Sequence, residues 1–193
     1  DSRVHNHTGF SASTADFLQS LNLANFLGRN AKERQILSYL DTRFLSYDNE
    51  TKELNFNHTR FYELVESPCV IVIGGPGVNY LAYYYNVSLP FVWRYIPRVK
   101  SVIYSTISGE EYKCGRGADG KLRDYAIIAI IEDSGKHILI VWGLSRYGTQ
   151  AACYLLANNP QKLSGKAVII EWVDENNNRK FDGEEPEIIE TWP

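Results

Sequence analysis

The sharpest change of pattern along the chain occurs at Gly143. Residues 137–142 form a continuous apolar run of strand length, whereas the residues after Thr149 follow a helical period. The apolar side of that helix consists of Ala151, Ala152, Leu155 and Leu156. The sequence therefore predicts a strand, a tight turn and a helix, with the turn at the carboxyl edge of a sheet, where α/β folds place their sites.

Other apolar runs predict the remaining strands. Short runs occur at 69–73, 125–131 and 167–173, and weaker β patterns occur within 91–113 and at 187–191. The tetrapeptide Asp-Ser-Gly-Lys at 133–136 predicts a hairpin between strands 125–131 and 137–142. Because both strands of this hairpin are apolar throughout, we expect it to be central and covered on both faces.

Helical periodicity dominates the first quarter of the chain. Capping residues followed by apolar stripes predict two helices, at about 13–28 and 30–46, which form a helical hairpin. Shorter helices are predicted at 59–65, capped by Thr59, and directly after Pro76. We predict an α/β fold, a mixed sheet with flanking helices, preceded by this N-terminal helical hairpin.

Two units follow from this organisation. Residues 1–65 contain a polar tail, the helical hairpin and a polar loop, and we expect them to pack on the main domain. Residues 66–193 form the α/β domain, which ends with an acidic loop.

Three interpretations of the turn at 143–149 stay open. It resembles a nucleophile elbow, but G-x-S-x-G requires glycine where Tyr147 stands. Arg146 beside a helix N-terminus suits a carboxylate or an acidic sugar. In a purely structural interpretation, Ser145 and Thr149 cap the helix and Gly148 permits close packing. The candidate ligand or interface residues are Ser145, Arg146, Tyr147 and Thr149.

Histidine placement argues against hydrolysis at this turn. The four histidines are His5, His7, His58 and His137. The first three lie in polar segments and the fourth opens an apolar strand, so none is placed to activate Ser145. We therefore predict that the chain is not an enzyme, and a serine hydrolase is the least favoured of its possible functions.

A second glycine-rich turn, GGPG at 74–77, also follows a strand. It lacks the later glycine of G-x-G-x-x-G and the lysine of a P-loop, so a sharp chain reversal is the favoured interpretation. The tyrosines at 80, 83, 84 and 85 follow it. They form either a wet aromatic face for a sugar or a neighbouring subunit, or a rim against the helical hairpin.

The acidic loop has the spacing of a calcium-binding loop. Oxygen donors occupy positions 1, 3, 5, 9 and 12, and a backbone carbonyl is available at position 7. The predicted ligands are Asp174, Asn176, Asn178, Lys180, Asp182 and Glu185. Arg179 stands where such loops usually have glycine, which weakens a site without excluding it. A plain polar turn is the alternative.

Composition indicates an extracellular protein. The net charge of −3 gives no electrostatic footprint for nucleic acid, and no apolar run reaches the 18 residues of a membrane span. Methionine is absent, so we expect Asp1 to be a processed or truncated terminus. Four N-x-[ST] sequons predict covalent glycans at Asn6, Asn49, Asn57 and Asn86.

The three cysteines do not settle the compartment. Cys153 lies on the apolar side of the predicted helix and is expected to be a buried thiol. Whether Cys69 and Cys114 form a disulfide depends on whether their strand ends meet, which the sequence leaves open.

Two segments resemble a known family. GLSRYGTQAA at 143–152 resembles the G-x-x-R-Y-x-T-A-A segment near the C-terminus of archaeal S-layer-like glycoproteins, and is similar to bacterial type-two cell-wall-binding repeats. VIVIGGPGVN at 70–79 resembles the strand and GGPxxN that precede that segment in the archaeal family. This resemblance implies a self-assembling structural domain at the cell surface. The similarity to wall-binding repeats implies an alternative, a module for cell-wall polysaccharide in which Arg146, Tyr147 and the tyrosines face the sugar.

Overall fold

A mixed β-sheet forms the centre of the molecule. The computed structural model describes Leu23 and residues 43–48, 50–51, 53–97 and 100–193. In spatial order the main strands are β11 (Glu187–Trp192), β10 (Ala167–Val173), β8 (Leu122–Asp133), β9 (Lys136–Gly143) and β3 (Cys69–Ile73). Among the described strands, the β3–β9 pair alone is parallel, and the short strand β7 (Gly115–Arg116) pairs with the start of β8. The β8–β9 hairpin is central, which confirms the prediction from its apolar strands.

Two smaller sheets accompany the central one. The strands β1 (Leu45–Tyr47) and β2 (Leu54–Phe56) form an antiparallel pair. The strands β4 (Phe91–Ile96), β5 (Lys100–Ser105) and β6 (Glu111–Lys113) form a three-stranded antiparallel sheet. Glu190 of β11 accepts hydrogen bonds from Ser105 Oγ (2.6 Å) and Tyr112 Oη (2.8 Å), so this sheet is tied to the edge of the central one.

Three α-helices have bounds within the described residues: α1 (His58–Leu64), α2 (Tyr80–Tyr85) and α3 (Arg146–Asn158). Helix α3 follows β9 and packs on one face of the central sheet, where Ala151, Ala152 and Leu155 are fully buried. Helices α1 and α2 pack on the opposite face with the three-stranded sheet. We call these the α3 face and the α2 face.

Alternation along the strands separates the two cores. Side chains buried on the α2 face are Val72, Ile127, Ala129, Ile138, Ile140, Trp142 and Ile169. Those buried on the α3 face are Ala126, Ile128, Val141, Val168, Ile170 and Trp172. Because neighbouring residues of a strand point to opposite faces, an apolar run is required wherever both faces are covered. This requirement explains why the central strands contain so few polar residues.

Coverage of the hairpin is less complete than its sequence predicts. Ile140 is fully buried, but Ile130 is 47% exposed on the α3 face. Helix α3 packs over Ile128 and Val141, near the carboxyl end of β9, and does not extend to the row of Ile130. The expectation that both faces are covered throughout is therefore wrong at this end of the hairpin.

Several helix and strand ends differ from those that the sequence predicts. Residues 45–47 are a strand instead of the end of a helix, because pairing with β2 satisfies their backbone groups. Asn57, not Thr59, caps α1 by accepting a hydrogen bond from Arg60 N (2.9 Å). Helix α2 begins at Tyr80, three residues later than Pro76 and Gly77 suggested, because Asn79 Oδ1 accepts from the Leu81 and Ala82 amides.

Apart from residues 43–46, the only described part of the predicted N-terminal helical hairpin is Leu23. That residue is helical, 1% exposed and packed in the core of the α3 face. On the opposite face, Phe44, Phe61 and Val65 share one core with the central strands, so the chain from residue 43 onward has no separate core before residue 66. Of the helices described, none has the length and apolarity to cross a membrane.

Candidate functional site

The turn after β9 is built around the cap of α3. Ser145 is the N-cap residue, and its Oγ accepts a hydrogen bond from Tyr147 N (3.3 Å). Thr149 Oγ1 accepts from Gly143 N (3.0 Å) and donates to the Ser145 carbonyl (3.3 Å). The hydroxyl groups of Ser145 and Thr149 therefore satisfy backbone groups that the end of a strand and the start of a helix leave unpaired.

A buried carboxylate completes this arrangement. Asp124 of β8 is fully buried, and its Oδ2 accepts hydrogen bonds from Ser145 Oγ and from Gly148 N (2.7 Å). Its Oδ1 accepts from Tyr125 N (2.8 Å). Burial raises the pKa of Asp124, and the hydrogen bonds from Ser145 and Gly148 partly offset that rise. The N-terminus of α3 thus already binds an anion, which belongs to the chain itself.

Close backbone contacts explain the glycines of the turn. A Cβ on Gly148 would lie 2.7 Å from the Tyr125 carbonyl oxygen, and one on Gly143 would lie 2.6 Å from the Gly148 carbonyl carbon. Real Cβ atoms essentially never approach backbone this closely. Glycine is therefore required at both positions by packing, as the structural interpretation of Gly148 predicts.

The Tyr147 side chain is partly buried and contacts several other parts of the chain. Its ring stacks on Trp172 with centroids 5.1 Å apart, and Arg146 lies 4.7 Å from its centroid. Its hydroxyl donates to the Arg179 carbonyl (2.7 Å) and accepts from Arg146 Nη2 (2.7 Å). Tyr147 consequently links the turn to the acidic loop instead of presenting an open aromatic face.

The acidic loop lies at the same edge of the sheet as the turn. Asp174 is fully buried and its carboxylate accepts from Asn178 N (3.1 Å) and Arg179 N (2.9 Å). Arg179 has a φ of +59°, the left-handed conformation that a calcium loop requires at this position. The backbone of the loop therefore has the expected bend, although an arginine stands at the bend.

The other predicted calcium ligands are only partly brought together. Asn176 Nδ2 (3.0 Å) and Asn178 Nδ2 donate to Asp182 Oδ2, and these bonds lower the pKa of Asp182. Lys180 is exposed and its amide donates to Asn178 Oδ1 (2.8 Å). Glu185 instead accepts from Asn159 (2.9 Å) and forms an ion pair with Lys162 (2.6 Å). Within the described residues, no three acidic, histidine or cysteine side chains are grouped as a metal site.

The two glycine-rich turns lie side by side. Strands β3 and β9 are parallel neighbours, and a Cβ on Gly75 would lie 3.5 Å from the Gly143 carbonyl oxygen. The helices that follow pack on opposite faces of the sheet. As a result, Tyr147 packs on the α3 face while Tyr80 and Tyr84 pack on the α2 face, so one sugar site built from both groups is not formed.

The tyrosines of α2 separate by role. Tyr85 is 3% exposed and donates to Asp133 Oδ2 (2.8 Å), and burial raises its pKa. Tyr84 packs on Phe56, with ring centroids 4.7 Å apart. A groove of about 380 Å³ is lined by Leu54, Tyr83, Tyr84, Asn86, Val87 and Trp93, none of which carries a charge at neutral pH. The outward half of the helix therefore presents aromatic rings on a shallow surface.

The sequons differ in accessibility. Asn6 and Asn49 lie outside the described residues. Asn57 is exposed, and only its Oδ1 takes part in the cap of α1, so the nitrogen that receives a glycan is not used there. Asn86 is 8% exposed, its Nδ2 donates to the Trp93 carbonyl (3.1 Å) and its Oδ1 accepts from Trp93 N (2.7 Å). A glycan on this buried nitrogen conflicts with the fold, so we do not retain Asn86.

The open question of the cysteines is answered by strand register. Cys69 pairs with His137, which pairs with Glu132, whereas Gly115 beside Cys114 pairs with Arg123. Glu132 and Arg123 are nine positions apart on β8, or about 30 Å at the rise of a strand. A disulfide needs Cα atoms within about 7 Å, so Cys69 and Cys114 do not pair with each other. Cys153 is buried, as predicted.

Sequence reasoning missed Asp124, the residue that organises the turn. One signal was present: Asp124 is an acidic residue directly before a run of seven apolar positions, 125–131. A carboxylate in a strand covered on both faces requires hydrogen-bond donors. The sequence could not identify those donors, because they lie 21 and 24 residues further along the chain.

Comparison with known proteins gives no assignment. The chain matches no family model, no curated protein and no solved structure.

Proposed function

We propose that this chain is a structural domain of a secreted, glycosylated cell-surface protein of the S-layer-like class, and that it self-associates. The observation that carries the proposal is the commitment of the 143–149 turn to internal contacts. Ser145 bonds to Asp124, Thr149 bonds to Gly143, and Tyr147 lies between Arg146 and Trp172. Such a turn holds a helix on a sheet and leaves none of these groups to a substrate.

The relation between the two glycine-rich segments adds support. They are separated by more than 60 residues, yet they follow adjacent parallel strands and touch at Gly75 and Gly143. Residues that resemble one family in two segments thus belong to one local arrangement. This contiguity favours a shared structural unit over two chance similarities.

The geometry around Ser145 favours a structural function over hydrolysis. Activation of a serine requires a base within hydrogen-bond reach. His137 is the second residue of β9 and Ser145 follows the end of that strand, so about 20 Å of strand separates the histidine from the turn. His58, the other described histidine, lies on α1 and contacts Tyr84. Ser145 does have an acidic neighbour, because its hydroxyl group donates a hydrogen bond to Asp124. The Asp124 side chain is fully buried and therefore shielded from solvent.

We also propose that the acidic loop binds calcium weakly. Asp174 and Asp182 supply carboxylates, Asn176 and Asn178 supply amide oxygens, and the Lys180 carbonyl is available in the same loop. Glu185 contributes only if it leaves Lys162. Two carboxylates and a non-glycine bend correspond to the weak, extracellular range of affinity, about 10⁻⁴ to 10⁻³ M.

Assembly and modification test this proposal together. Protein purified from its native source should have an intact mass above that of its sequence, and enzymatic deglycosylation should remove the excess. With calcium and increasing concentration it should form sheets or tubes visible by electron microscopy. An unmodified mass together with a monomer at every concentration, with or without calcium, would contradict the proposal.

A glycan-binding module is the second candidate, and the groove beside α2 is the observation that favours it. Aromatic faces and an uncharged lining suit the apolar face of a neutral saccharide ring. Asn86 fixes the backbone of Trp93 through two hydrogen bonds, so one wall of the groove is preorganised. Calorimetry with neutral wall oligosaccharides should show binding that Trp93→Ala abolishes and Arg146→Ala leaves unchanged. Equal loss in both variants would point to the turn instead.

A further inference from the structure

The two outer strands of the central sheet differ in how their edges are protected. Strand β11 contains Glu187 and Glu190, and its pairing with β10 shifts register between Ile169 and Ile170. Charges and bulges of this kind keep sheet edges from pairing with other chains. Strand β3 has the sequence CVIVI, with no charge, no proline and no bulge. Within the strand itself, the length of five residues is what limits pairing.

The hydrogen-bonding groups of β3 divide into an inner and an outer set. Gly74 N donates to the Val141 carbonyl and the Pro68 carbonyl accepts from His137 N, so the even-numbered residues face β9. The odd-numbered residues Cys69, Ile71 and Ile73 therefore direct their backbone groups away from β9. Among the described strands, none pairs with that side.

Local side chains cover the two ends of this outer edge. Ser67 Oγ accepts from Cys69 N (3.2 Å), and Asn79 Nδ2 donates to the Ile73 carbonyl (3.0 Å). Ile71 stands between them, and its side chain is 39% exposed. The protection of the edge is thus limited to its ends and leaves the centre accessible.

We propose that β3 is a self-association edge, at which the β3 strands of two copies pair antiparallel about a twofold axis through Ile71. In this register each Ile71 amide donates to the partner's Ile71 carbonyl, and each Ile73 amide donates to the partner's Cys69 carbonyl. These four bonds use the outward groups that Ser67 and Asn79 do not cover. The inference rests on the self-association proposed above and names the surface that carries it.

A second copy fits this edge better than a charged partner does. Every side chain of β3 is uncharged at neutral pH, so antiparallel self-pairing brings no like charges together. Strand β11, in contrast, carries two carboxylates within its six residues, Glu187 and Glu190, so its edge is charged. A twofold contact is also the commonest symmetry of self-association in soluble proteins.

Matched lysine substitutions test the edge. Ile71→Lys places two ammonium groups opposite each other at the twofold axis. Natural proteins often carry Lys on the edge strands of their sheets, where its charge prevents pairing with other chains. Ile130→Lys is the control: this side chain lies in the same row on the same face and is 47% exposed, but it is two strands away from the edge. Ile71→Pro is a second edge variant, because it removes an outward N–H and no bond to β9.

Sedimentation velocity over a concentration series, in reductant because Cys69 and Cys114 are exposed, gives the readout. Circular dichroism confirms that each variant is folded. We expect wild type and Ile130→Lys to associate alike, and Ile71→Lys and Ile71→Pro to associate about tenfold more weakly or not at all. If wild type associates and the Ile71 variants do too, the edge assignment is wrong while self-association stands. Equal loss in Ile130→Lys would assign the contact to the sheet face. A wild type that stays monomeric at every concentration, with and without calcium, would remove both the edge assignment and the proposed self-association.

Discussion

The turn at 143–149 and the acidic loop at 174–185 are neighbours joined by the bond from Tyr147 to Arg179, yet they use polar residues in opposite ways. In the turn, the functional groups of Ser145 and Thr149 are directed into the chain, where they satisfy one another and Asp124. In the loop only Asp174 is buried, and the residues at 175–180 are all exposed. The hydroxyl groups of the turn are therefore used in contacts within the chain, while most side chains of the acidic loop are open to solvent.

The turn and the loop differ because the turn is closely packed against buried parts of the fold, whereas the loop is largely exposed. The turn packs against the starts of β8 and α3, where glycine is required and a buried charge needs every available donor. The loop extends beyond β10, and its asparagines bond mainly within the loop. Substitutions in the turn should therefore reduce stability, and substitutions in the loop should change the response to a cation.

The largest expected effect is that of Gly143→Ala. The new Cβ would overlap backbone atoms of Gly148 and Thr149, so we expect the free energy of unfolding to fall by about 4 kcal/mol. Gly75→Ala is the control at the adjacent strand end, where the nearest atoms lie 3.5 Å away. In urea titrations, the free energy of unfolding of Gly75→Ala should fall by no more than about 1 kcal/mol. Similar losses in both variants would mean that the turn is less tightly packed than described.

Asp124→Ala should have the next largest effect. Removing the carboxylate leaves the Ser145 hydroxyl and the Gly148 amide without their acceptor in a buried site, which corresponds to a loss of about 3 kcal/mol. Asp119→Ala removes an exposed carboxylate and should leave stability near that of wild type. Denaturant titrations of both variants provide the measurement. If Asp124→Ala unfolds with the same free energy as wild type, the cap of α3 does not depend on this residue.

Calcium should stabilise the folded chain through the loop by a smaller amount. At about ten times its dissociation constant, a ligand that binds only the folded state adds about 1.4 kcal/mol. Thermal melts in calcium and in chelator should differ for wild type and for Asp119→Asn, whose carboxylate lies outside the loop. The difference should disappear in Asp182→Asn. If wild type melts at the same temperature in calcium and in chelator, the loop does not bind calcium and is a plain turn.

The smallest effect concerns pH. Because burial raises the pKa of Asp124, the folded chain binds this proton more tightly than the unfolded chain does. Stability relative to Asp124→Asn should therefore fall as pH rises from the unfolded pKa to the folded one, and change little above it. Urea titrations of wild type and Asp124→Asn across acidic pH measure the difference. A difference that grows with pH would mean that hydrogen bonding outweighs burial.

The regular elements of this fold were predictable because each depends on local pattern. The apolar runs of β8, β9 and β10 and the periodicity of α3 are direct consequences of burial on two faces or one. Asp124 was not predictable as the partner of Ser145, because only the antiparallel pairing of β8 with β9 brings them together. Glu185 was predicted as a calcium ligand from its position in the loop. Its contacts with Asn159 and Lys162 could not be predicted in this way, because those residues lie outside the loop.

We infer that the Ser145 hydroxyl group serves the internal structure of the turn, and a double-mutant cycle with Asp124 is the sharpest test of this inference. Ser145→Ala, Asp124→Asn and the double variant are unfolded in urea, and wild type is also treated with a fluorophosphonate. We predict a coupling free energy of about 1 kcal/mol or more between the two residues, no labelling of Ser145, and self-association that persists in Ser145→Ala. Additive losses together with a labelled Ser145 would contradict the account, because the serine would then be independent of Asp124 and reactive.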